Sequence, residues 1–113
     1  ISYIHAEGMM GGELKHGTIA LIEKGTPLIS LINGNEEIVS NTKEVEARGA
    51  HIISITNSNL YDCDDCIKVD MKNDFAFALL SVIAGQLLTY YIAKEKGLPI
   101  DKPRNLAKSV TVK

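Results

Sequence analysis

Two side chains in this sequence carry the chemistry of covalent and acid–base catalysis, and they lie near its opposite ends. Lys108 falls in residues 98–113, among the small or apolar Leu106, Ala107 and Val110, with Lys102 and Arg104 close in sequence. Desolvation and like charge both lower an amine's proton affinity. A deprotonated lysine attacks a carbonyl carbon and forms a Schiff base. A solvated tail lysine is the ordinary alternative, and the residues alone leave both open. His16 ends the run Gly12-Glu13-Leu14-Lys15-His16-Gly17. Imidazole is the side chain whose ordinary charge change lies near neutrality, which suits general acid–base work; a surface histidine at a helix end is the alternative. Glu13 and His16 also form a Glu-x-x-His. Bundles that bind metal this way supply several such helices, and one copy predicts no metal site.

Cys63-Asp64-Asp65-Cys66 is a third candidate. Zinc needs four ligands, and a second cysteine or histidine pair is absent from the sequence. A redox pair needs a positive setting that favours the thiolate. Asp62, Asp64 and Asp65 oppose it, so this segment is expected to be a loop entering a strand.

The elements that must position these residues follow from periodicity. In residues 1–17, Glu7, Met10 and Leu14 can share a helical stripe, and Gly17 fits a helix stop. Gly8, Gly11 and Gly12 weaken that helix by up to about 1 kcal/mol each. Residues 27–32, Pro-Leu-Ile-Ser-Leu-Ile, are apolar on both faces of a strand and end at Asn33-Gly34. That pattern predicts a strand covered on both faces, as in parallel sheets. Asn35 is expected to cap a helix that opens with Glu36 and Glu37 and presents Ile38, Val39, Thr42 and Val45 on one stripe as far as Gly49. Residues 50–56 form a second buried strand, and 66–70 a third, nearer an edge. Asp74 is expected to cap the last helix, residues 75–96, closed by Gly97. Residues 75–93 carry no formal charge, so a membrane span and a buried helix compete. Ser81, Gln86, Thr89, Tyr90 and Tyr91, and the strand–helix pattern upstream, favour the buried helix.

Alternating strands and helices predict an α/β sandwich, three layers α/β/α, with a mainly parallel sheet. The 113 residues allow one domain at most. A net charge of −2 lacks the basic balance of a nucleic-acid binder. No basic start or signal-peptide pattern opens residues 1–12. The chain starts at Ile1 without Met or a cap, and three short strands make a small sheet. Both features lead us to expect a piece of a longer polypeptide, truncated at its N-terminus.

Two stretches carry a resemblance. His5-Ala6-Glu7 with Gly12-Glu13-Leu14-Lys15-His16-Gly17 and Ala20-Leu21-Ile22, and the closing Asp101-Lys102-Pro103-Arg104-Asn105-Leu106-Ala107-Lys108-Ser109-Val110-Thr111-Val112, together resemble the glutamine–fructose-6-phosphate aminotransferases (isomerizing). The resemblance covers the whole chain. It implies that residues 1–97 are most of the second sugar-isomerase (SIS) domain and residues 98–113 a catalytic tail. It implies that Lys108 forms a Schiff base with the sugar ketone and that His16 acts in ring opening, supplied across a homodimer. The backbone of Ala107 then lies against the sugar. The family makes glucosamine 6-phosphate from fructose 6-phosphate and glutamine, in the cytoplasm, with no metal or other cofactor and no membrane or nucleic acid. Its isomerisation base, a glutamate, stands just before Ile1. Its phosphate-binding loop is in the first SIS domain and its nucleophilic cysteine in a glutaminase domain, both outside this chain. Thr18 replaces a proline common in the family. The fragment alone is therefore expected to be inactive. A stand-alone SIS-type module that binds sugar phosphates without catalysis is the alternative reading.

Overall fold

The computed structural model describes residues 1–63 and 65–106. They group into two compact units, one of Glu7–Ala84 and one combining Ile1–Ala6 with the chain from Gly85 onward.

In the unit Glu7–Ala84, three parallel strands form one sheet in the order β1 (Pro27–Ile32), β2 (His51–Thr56), β3 (Asp65–Lys68). Leu31 pairs with Ile55, and Ile55 with Ile67, so these three share a face. Helix α1 (Glu36–Glu46) joins β1 to β2. Its start is the expected cap, with the Glu37 N–H donating to Asn35 Oδ1 at 2.8 Å. It ends at Gly49, whose φ of +99° a side chain would resist. There the Gly49 N–H donates to the Glu46 carbonyl and the Ala50 N–H to that of Val45, satisfying the last orphan carbonyls.

Val39, Thr42 and Val45 bury the predicted stripe of α1 against the sheet. Ser30 and Thr42 meet there, hydroxyl to hydroxyl, at 2.7 Å. Ile32, Val39, Val45, Ala50, Ile52 and Tyr61 form the core on this side. The link between β2 and β3 contains no helix, although parallel neighbours are usually joined through one. Tyr61, from that link, is buried in the core on the α1 side. On the opposite face Ile55 and Val69 pack with Phe77, flanked by Ile67, Leu80 and Ala84. Those last contacts come from α2 (Asp74–Glu95), so this unit has the expected α/β/α layering. β3 is an edge strand, as its alternation predicted.

Five expectations need correction. Residues 1–10 adopt no regular secondary structure, and only a 3-10 turn, Glu13–His16, forms in the first stretch. The glycines outweigh its stripe, and Gly17 is extended at φ 172° instead of left-handed. β1 is covered on one face only, with Ile29 and Leu31 about half exposed. α2 is not buried: Phe75, Leu79, Val82, Ile83, Leu87 and Tyr91 are exposed along it. Both exposures have one cause, since the three strands and two α-helices of the described residues leave too few elements to cover these faces. Asn73, not Asp74, caps α2, accepting from the Ala76 N–H at 3.0 Å. The third strand starts at Asp65 and ends at Lys68, and buried Val69 lies just beyond it.

In the other unit, Gly97 closes α2 at φ +63° as expected. Its N–H donates to the Lys94 carbonyl and the Leu98 N–H to that of Ala93. The Lys96 amine donates to the Ser2 carbonyl at 3.1 Å, which fastens the helix end to the first residues.

Candidate functional site

His16 is the last residue of the 3-10 turn and its side chain is exposed. The turn itself is anchored. Leu14 within it and Ile19 and Ile22 after it pack against the α1-side core. Lys15 reaches Glu44 on α1 at 2.7 Å. Both partners of that pair are substantially exposed, so it orients the turn and contributes at most about 1 kcal/mol. Gly11 lies flush on α1: a Cβ there would come within 3.0 Å of Ile38 Cδ1 and 3.2 Å of Asn41 Nδ2. The His16 imidazole therefore stands exposed on a turn that is fixed to α1. Glu13 and His16 share one side of the turn, because residues three apart eclipse in a 3-10 helix. Among the described residues no group of three His, Cys, Asp or Glu could hold a metal ion.

In open α/β sheets, ligands bind beyond the carboxyl ends of the strands. Here that edge is polar and internally bonded. Asn33 donates to Asp74 Oδ1 at 3.3 Å, Asn57 to the Met71 carbonyl at 2.7 Å, and Lys68 to the Ser58 carbonyl at 2.8 Å. Glu36 and Glu37 stand in the first turn of α1 and Asp74 in that of α2. Asn35 and Asn73 bond the first N–H groups of the two helices, and the neighbouring carboxylates oppose an anion there.

Cys63 leads into β3 and Cys66 lies within it, the expected loop and strand. Both thiols are free, and Cys63 Sγ lies 3.0 Å from Ser54 Oγ. His51 and Asp65, at the starts of β2 and β3, pair at 2.6 Å on the surface. Tyr61 is buried, and among the described residues its hydroxyl makes no hydrogen bond of good geometry, with the Glu46 carboxylate close by. That burial, with the Glu46 carboxylate adding to it, pushes the phenol well above its ordinary pKa.

Lys108 and Ala107 lie outside the described residues, so their geometry is not part of this site. The stretch leading to them is described as far as Leu106. Pro103 to Leu106 form a turn in which the Leu106 N–H donates to the Pro103 carbonyl, with Asn105 at φ +59°. Asparagine tolerates that conformation better than most residues. Sequence reasoning missed the partner of this turn, Tyr3. The Arg104 guanidinium lies 4.3 Å from the centre of the Tyr3 ring, and the Arg104 N–H donates to the Tyr3 hydroxyl. Nothing in the sequence flags a pair about a hundred residues apart with no shared motif.

The SIS domain model matches residues 1–95. The chain belongs to the SIS domain family. The match includes α2, which is therefore an element of that domain, although its length and apolar composition would also suit a membrane span. The SIS chain is 50% identical to "Glutamine--fructose-6-phosphate aminotransferase [isomerizing]" of Lactococcus lactis over 99% of its length. It is 52% identical to the enzyme of that name from Lactiplantibacillus plantarum and 53% to that from Staphylococcus aureus, each again over 99%. It spans 19% of the length of each of these relatives.

Proposed function

We propose that this chain is the C-terminal part of a glutamine–fructose-6-phosphate aminotransferase, the enzyme that forms glucosamine 6-phosphate and glutamate from fructose 6-phosphate and glutamine. The observation that carries the reading is about 50% identity over 99% of the chain to enzymes of that name. His16, exposed on an anchored turn, moves the protons of sugar-ring opening. Opening frees the C2 ketone. The Lys108 amine adds to that carbon and water leaves, giving the imine. Ala107 lies against the sugar through its backbone. The acidic starts of α1 and α2 fit a division of labour in which the first SIS domain holds the phosphate. A glutaminase domain supplies ammonia, and a homodimer in the cytoplasm brings His16 to the partner's sugar. The chain by itself is inactive, because the isomerisation base and the phosphate loop lie elsewhere. No metal or organic cofactor takes part.

The test is a hybrid in which this chain replaces the matching C-terminal residues of the Lactococcus lactis relative. The hybrid should make glucosamine 6-phosphate. Lys108→Ala should abolish the synthase reaction while sparing glutamine hydrolysis, and His16→Ala should lower it by about 10²- to 10⁴-fold. A Lys108→Ala hybrid with full synthase activity would refute the assignment, and product formed by the 113 residues alone would refute the inactivity.

A further inference from the structure

We propose that Tyr3 is a positioning residue that latches the C-terminal tail four residues before Lys108; the inference rests on the Schiff-base role proposed above for Lys108. The observations lie within one compact unit. The Arg104 guanidinium covers the Tyr3 ring at 4.3 Å, and the Arg104 backbone N–H donates to the Tyr3 hydroxyl. Side chain and backbone of one residue thus grip one ring from two directions. The grip comes at a turn, Pro103 to Leu106, that redirects the chain immediately before Ala107. Tyr3 itself has φ +56°, a conformation a bulky side chain resists unless its surroundings enforce it. The adjoining residue is held as well: Ser2 is buried, and its carbonyl accepts from Lys96.

The consequence is a shorter tether. Without the latch the amine of Lys108 hangs eleven residues beyond Gly97, where the helix is closed; with it, four residues beyond Arg104. Four residues reach at most about 14 Å. Effective concentration falls roughly as the three-halves power of tether length, so the latch raises that of the amine about fivefold. Cation–π attraction and one backbone hydrogen bond keep the latch mostly closed at an exposed site.

The experiment uses the hybrid enzyme and three variants: Tyr3→Leu, Tyr3→Phe and Arg104→Met. Tyr3→Leu removes both contacts, and each of the others removes one. Hydrogen exchange at the Arg104 amide should quicken about tenfold in Tyr3→Leu and less in the other two. Incubation with fructose 6-phosphate and borohydride reduces the imine to a stable amine, which peptide mass spectrometry locates. Trapping at Lys108 and kcat should both fall about fivefold in Tyr3→Leu, with KM for fructose 6-phosphate, glutaminase activity and Tm unchanged, and Tyr3→Phe should recover part of the loss. Unchanged Arg104 exchange in Tyr3→Leu would overturn the latch. Faster exchange with undiminished trapping and kcat would overturn its positioning role. If the unmutated hybrid is a working glutaminase yet gives no adduct at Lys108, the Schiff-base reading itself fails, and the positioning role with it.

Discussion

The hydroxyl pair that locks α1 to β1 makes a prediction whose sign depends on which atom holds which proton. Ser30 Oγ and Thr42 Oγ1 are 2.7 Å apart and both residues are buried. Thr42 Oγ1 also lies 2.7 Å from the Ile38 carbonyl, which can only accept. A hydroxyl has one proton, so Thr42 donates to Ile38 and Ser30 donates to Thr42. Ser30→Ala removes one donor and leaves Thr42 bonded to Ile38; the expected cost is about 1 kcal/mol. Thr42→Val strands the Ser30 proton in a buried site and should cost about 2 to 3 kcal/mol. The double variant has no stranded group and should cost no more than Thr42→Val alone, giving a coupling of about 1 kcal/mol or more. Urea unfolding of the chain followed by circular dichroism reads all four proteins. With a slope of about 1.5 kcal/mol/M, Thr42→Val should move the midpoint down by about 1.5 M, and Ser30→Ala by about half that or less. Additivity of the two single effects within about 0.4 kcal/mol, or Ser30→Ala costing more than Thr42→Val, would refute the proton assignment. The same bracket supports the turn under His16, through Gly11 and Lys15.

Two further predictions concern surfaces and burial. Tyr61 has its phenol pKa raised in the folded chain, so folding favours the neutral form. Its stabilising effect is complete below the unfolded value near 10 and is lost as pH rises beyond it, by up to about 1.4 kcal/mol per pH unit. Tyr61→Phe should flatten stability between about pH 10 and 11, and an unaltered alkaline slope would contradict this. Phe75, Leu79, Val82, Ile83 and Leu87 leave one face of α2 exposed. Even half-exposed, such residues form a patch at or above the few hundred Å² usual for a monomer, so a second copy is expected to cover it. Leu79→Glu with Ile83→Lys should turn a concentration-dependent dimer into a monomer in sedimentation velocity, and an unmutated chain that stays monomeric at high micromolar concentration would oppose the expectation.

Much of the fold can be read directly from the residues. The mostly apolar run of β1, the Asn35 cap, the stripe of α1 and the stop at Gly97 are local signals, and each acts through its own few residues. Asn73 displaced Asp74 as the cap of α2 because two adjacent residues can both cap and only the helix start selects one. The first seventeen residues misled, since a stripe with three glycines is close to balanced between helix and none. His16 and Lys108 are singled out by motif resemblance and not by spacing, because a single histidine or lysine has no periodic signature, and their roles remain proposals.

What the sequence determined by itself is therefore the set of parallel-sheet elements, the Asn35 cap of α1 and the stop at Gly97, since each depends on neighbours a few residues away. Tertiary structure alone decided which faces lie bare, since exposure depends on how many elements are present to cover each side of the sheet. It decided that Gly11 carries the His16 turn on α1 by backbone approach. It also decided that Tyr3 meets Arg104, because a cation over an aromatic ring is a relation in space that no spacing along the chain encodes.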